Sequence, residues 1–177
     1  MGAYILQKLL GSIICEMLTA ISYDPKAAIL EKLANSVKMY LADLGHIPAD
    51  KLNAVPMGKA RPPLEFTAEC VGFNSFVASI ASGETHPIPT EEERESFYRT
   101  VDSLEKAQTL LQESVDQLTS AVQKLDNESL FTPAKTPWGS DATIFQLVEM
   151  TCSHMAYHDG QLNYIQSLYG DDANHWH

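Results

Sequence analysis

His154 and His158 are the residues of this chain whose type and spacing best suit chemistry. They stand four apart in Thr151-Cys152-Ser153-His154-Met155-Ala156-Tyr157-His158-Asp159-Gly160-Gln161. On a helix that spacing stacks two imidazoles one turn apart on one face, as two ligands of a single metal ion require. Ile144, Leu147, Val148, Met155, Leu162, Ile165 and Leu168 recur around them at helical spacing, so both histidines fall inside the apolar stripe rather than on the polar face.

Presenting such a pair to a third ligand takes facing helices, and the sequence predicts five helices and no strand. The run from Ala3 to Ile21 has the pattern of an amphipathic helix; Gln7, Lys8 and Glu16 inside it speak against a signal peptide or a membrane span. Asp24 followed by Pro25 opens a second helix, with Ile29, Leu33, Val37, Tyr40 and Leu44 as its stripe, ending before Gly45. Pro62 and Pro63 open a third, carrying Phe66, Phe73, Val77 and Ile80 and stopped by Gly83. Thr90 and Glu93 form a capping-box signature for a fourth. There Phe97, Val101, Leu104, Gln108, Leu111, Val115, Leu118, Val122 and Leu125 predict one long seam, in which Gln108 either sets helix register, the better-supported reading, or reaches into the polar centre of the bundle. After a loop from Asn127 to Gly139, Ser140 is the expected cap of the histidine-bearing helix, which runs to about Tyr169 before Gly170. The expected fold is an all-α, up-down four-helix bundle forming a single domain over 1–177: an extra N-terminal helix over 1–23, a core over 24–171 and a tail over 172–177.

Charge and cysteine usage narrow the function classes. Twelve Lys plus Arg against 23 Asp plus Glu give a formal net charge of −11, from which no nucleic-acid partner and no membrane surface are expected. Cys15, Cys70 and Cys152 are odd in number and widely spaced, which disfavours a disulfide framework and fits a reducing cytoplasm. The stripes on several helices, and the few charges of the N-terminal one, predict a homodimer burying part of Ala3 to Ile21 or the outer face of another helix.

The third donor is sought on the helix after Pro63. Glu69 lies three residues after Phe66 and four before Phe73, on the aromatic side, where an unpaired carboxylate needs a cation, a metal or a proton. The competing placement is at the rim of that helix, bonded to a neighbouring side chain. Cys70 and Asn74 are alternative donors on the adjacent face, and a cysteine there is more often a small buried hydrophobe.

The helix order, Pro-Leu-Glu-Phe-Thr-Ala-Glu at 63–69, Thr-Pro-Trp-Gly at 136–139 and His-x-x-x-His-x-Gly-Gln at 154–161 resemble the DinB/YfiT superfamily, over roughly Asp24 to Asp171. The resemblance implies a four-helix bundle, often a homodimer, with a divalent metal held by three histidines, one from the second bundle helix and two from the last. It also implies a metal-dependent hydrolase or a transferase that joins low-molecular-weight thiols to electrophiles. His154 and His158 match the last-helix pair, and Glu69 stands where the first histidine would be. Two histidines and a carboxylate suit Zn²⁺ or Fe²⁺ and leave an open position where water or a thiol becomes nucleophilic; Ni²⁺ is the other candidate ion. The alternative is a non-catalytic dimeric bundle with a degenerate, metal-free site, acting as a binding or sensing module. Trp138 and Gln161 are candidate substrate-binding residues, although Trp138 fits a loop anchor better. Tyr157, about 100° around the helix, is expected to pack elsewhere, and His175-Trp176-His177 are assigned no role.

Overall fold

The computed structural model describes residues 23–84, 87–136, 138–139 and 141–176. The expected N-terminal helix, and with it the dimer contact through Ala3 to Ile21, lies outside the described residues, as does the expected cap Ser140.

Among the described residues there are six helices and one small hairpin. Helix α1, Pro25–His46, starts where Asp24 accepts hydrogen bonds from the backbone N–H groups of Lys26 and Ala27, with Pro25 in the first turn. It runs through Gly45 and ends one residue later, before Ile47 and Pro48. Helix α2, Pro63–Ala81, is anchored at its start by the Leu64 N–H donating to the Leu52 carbonyl, and Gly83 follows it at φ 75°, a conformation that suits a residue without Cβ. Helix α6, Ile144–Leu168, carries the histidines. Helix α2 packs chiefly on α4, Leu104–Gln123, and α1 on α6, while α2–α6 and α1–α4 contacts close the four-helix core. Tyr40, Phe66, Leu111, Leu118, Leu147 and Met155 fill that core. No helix among the described residues is long and apolar enough to cross a membrane.

Three expectations are corrected. The predicted long seam is two helices, α3 at Glu91–Tyr98 and α4. Between them the Thr100 hydroxyl donates to the Phe97 carbonyl, and Ser103 restarts the helix by accepting from the Lys106 N–H. The break turns Val101 into the core while α3 buries none of its residues. The loop after Asn127 holds a one-turn helix α5, Asn127–Leu130, and an antiparallel hairpin of β1, Pro133–Lys135, with β2, Asp141–Thr143, registered Pro133 to Thr143. The cap of α6 is Thr143, three residues later than expected, through a capping box with Gln146. Asn74 and Ser114 meet across the bundle interior at 3.1 Å, and Gln108 is half-buried.

Candidate functional site

Helices α2 and α6 bring the site together. On α6 the stripe that buries Leu147, Cys152, Met155 and Leu162 carries the two imidazoles inward, His158 wholly buried and His154 at the edge with its side chain 20% exposed. Their Nε2 atoms lie 3.1 Å apart. Aromatic rings of α2 fix both planes: Phe66 stacks on His158 at 5.1 Å and 3°, and Phe73 meets His154 edge-on at 5.2 Å.

Glu69, on α2, sits at the rim and faces both rings. Its Oε1 lies 3.6 Å from His154 Nε2 and its Oε2 3.7 Å from His158 Nε2, while Oε2 also accepts a 2.5 Å hydrogen bond from Arg61. The His154 imidazole facing it and the Arg61 guanidinium hold the Glu69 carboxyl at about 2, against the upward push of burial. Burial lowers the His158 pKa, so the neutral imidazole that a metal needs is the favoured form. Gln161 supplies what keeps that ring in place: its Oε1 accepts from His158 Nδ1 at 2.7 Å, which leaves the Nε2 lone pair facing His154 and Glu69.

Donors around a tetrahedral ion at about 2.0–2.2 Å stand about 3.3–3.6 Å apart, and the two Nε2 atoms with the Glu69 oxygens are close to that spacing. Cys70 is a further donor, with its sulfur and one nitrogen from each histidine all within 4.8 Å of one another. Its thiol is fully buried, and burial pushes its pKa up, so it would ligate only after losing a tightly held proton.

Tyr157 differs from expectation, and the C-terminal tail makes contacts of its own. Tyr157 does not pack elsewhere: its ring meets His158 edge-on at 5.0 Å and its hydroxyl accepts from Gln161 Nε2 at 3.3 Å, a contact between residues one turn apart. The tail also folds back on the bundle. His175 stacks on His46 at 3.6 Å, and Trp176 Nε1 donates to Asp43 Oδ2 at 2.7 Å.

Asp43 of α1 and Asp159 of α6 form a buried acidic pair that sequence reasoning missed, although Asp43 continues the α1 stripe three residues after Tyr40. Asn163 donates to Asp43 Oδ2 and Gln166 to the Asp43 carbonyl. Burial, and then the neighbouring Asp43, raise Asp159 to about 7, so it keeps its proton where an ordinary carboxyl is ionised. Arg61 was missed as well, because it precedes a Pro-Pro pair in an aperiodic stretch.

A cavity of about 710 Å³ opens beside Glu69 and His154 and is walled by residues of α2, α3 and α6 together with Trp138. Trp138 is thus part of the cavity wall, 5.8 Å from Phe76 and 47% exposed.

The sequence profile described as the DinB superfamily matches residues 25–162. No curated protein matches the sequence. Among solved structures, an uncharacterized protein from Clostridium difficile 630 is 15% identical, with 83% of this chain and 98% of that one covered at a TM-score of 0.65. A mycothiol-dependent maleylpyruvate isomerase is 13% identical over 78% of this chain and 61% of its own length, at 0.62. The colibactin self-resistance protein ClbS, crystallised in complex with dsDNA, is 18% identical over 80% and 95%, at 0.64. ClbS overturns the expectation that nucleic acid is excluded. Net charge is a sum over the whole chain, whereas phosphate contacts are made by local groups, so −11 is no ground for that exclusion.

Proposed function

The chain belongs to the DinB superfamily, and from that premise we propose that it is a metal-dependent hydrolase or thiol S-transferase whose ion is held by His154, His158 and Glu69. The observation that carries this reading is the convergence of the two Nε2 atoms, 3.1 Å apart, on a carboxylate that is already ionised. A divalent ion there, Zn²⁺, Ni²⁺ or Fe²⁺, would supply Lewis acidity, making water or a small thiol nucleophilic near neutral pH. Gln161 holds the His158 tautomer, Arg61 holds one Glu69 oxygen and leaves the other toward His154, and the cavity admits the second reactant. In S-transfer a sulfur–carbon bond would form as the bond from that carbon to the leaving group breaks and the leaving group departs with the electron pair, while the thiol proton passes to the leaving group or to solvent, so no redox partner is needed.

The Arg61–Glu69 ion pair favours one other reading, a bundle whose polar cluster satisfies itself and binds without catalysis. Elemental analysis of untagged protein purified without added metal separates the two. The enzyme reading expects stoichiometric metal, lost in His158→Ala and in Glu69→Gln and retained in Cys70→Ala, and metal-dependent loss of free thiol when glutathione is mixed with a soluble electrophile. Metal lost in Cys70→Ala but kept in Glu69→Gln would move the third ligand to Cys70, and a melting temperature indifferent to Zn²⁺, Ni²⁺, Fe²⁺ and chelator would refute the metal site.

A further inference from the structure

We propose that the cavity beside His154 is a binding site for a flat, uncharged aromatic molecule of about two fused rings, its polar end toward Glu69 and His154. The walls argue for the class. Phe73 and Phe76 of α2, Phe97 and Tyr98 at the end of α3, and Trp138 present five aromatic rings to one space, with Met150 among them. Trp138 and Met150 keep 47% and 43% of their surface in water, and large apolar groups left wet around a concave site are where a ligand gains most by covering them. Phe76 and Trp138 lie 5.8 Å apart and tilted by 46°, while Phe97 and Tyr98 stand at 6.3 Å and 62°, so faces and edges are both offered to a ring placed between them.

The charged groups at the rim are already committed. Glu93 accepts from the Thr90 N–H at 2.7 Å in the cap of α3, Arg94 donates to the Pro89 carbonyl at 3.1 Å, and Glu69 holds Arg61. A neutral ring system leaves each of these contacts in place, and the surface it would cover is mostly aromatic. The volume of about 710 Å³ lies within the range of sites that enclose a small organic molecule. The orientation of the ligand rests on the metal-site reading above; its binding does not.

Calorimetric titration of chelator-treated protein with 1-naphthol, and with 1-octanol as an apolar chain without a ring, tests the proposal. Saturable one-to-one binding of naphthol, about tenfold tighter than octanol, is expected, with Trp138→Ala and Phe97→Ala each weakening it about fivefold, as the loss of an aromatic contact predicts. Tyr164→Ala, exposed and outside the cavity, should leave it unchanged. Trp138 is half in water, so its variant tests the site even if Phe97→Ala folds poorly. Absence of saturable binding, equal affinity for octanol, or full affinity in Trp138→Ala overturns the proposal. Protein that binds naphthol but no Zn²⁺ refutes the metal reading alone, and protein that binds Zn²⁺ but no naphthol refutes this one alone.

Discussion

Replacing Asp159 with Asn should remove a pH dependence from the stability of this protein. Asp159 is 3% exposed and lies beside the wholly buried Asp43, and among the described residues each carboxyl keeps one oxygen without a hydrogen-bond partner. The native state binds the Asp159 proton more tightly than the unfolded chain does, so the stability it contributes is whole below about pH 4 and is lost as pH rises through about 7. Raising a carboxyl from 3.8 to about 7 amounts, at about 1.36 kcal/mol per pKa unit, to about 4 kcal/mol in full. Between pH 5 and pH 8 the expected loss is about 2 to 3 kcal/mol. Asn keeps the volume and the neutral, donating character of the protonated acid. Urea unfolding across this range should show wild-type stability falling with pH and Asp159→Asn nearly flat, the variant being the more stable at pH 8. Wild-type stability that is constant or rises from pH 5 to pH 8, or a variant that falls just as steeply, would refute the reasoning.

Tyr40→Phe removes a buried hydroxyl 2.8 Å from Thr67 Oγ1, and about 1 kcal/mol should be lost in urea unfolding, because Thr67 still donates to the Pro63 carbonyl. Thr143→Ala breaks the capping box that starts α6 and should cost about 1 kcal/mol by the same measurement, whereas Thr143→Ser should restore most of it. Gln161→Leu frees His158 Nδ1 and should weaken Zn²⁺ affinity about 10- to 100-fold in competition with a chromophoric chelator while leaving the helical circular dichroism unchanged.

Much of the fold was legible because it is local. Asp24 with Pro25, Thr90 with Glu93, and the glycines at 83 and 170 are short-range devices, and the structure shows each at the helix end where the sequence puts it. The inward position of His154 and His158 follows from the apolar period of α6. Where local signals competed, the outcome was not legible: a continuous hydrophobic seam concealed the Ser103 cap, and only packing on α2 and α1 shows that Val101 is buried by a turn rather than by a helix. Nothing in the periodicity of α2 could say whether Glu69 faces the core or the rim, since its place was decided by Arg61, eight residues earlier and beyond two prolines. The same holds for Asp43, Asp159 and Trp176. A helical period reports which residues share a face, but a buried carboxylate, an imidazole tautomer and a cavity wall are set by groups from other helices, and those meet only once the bundle has closed.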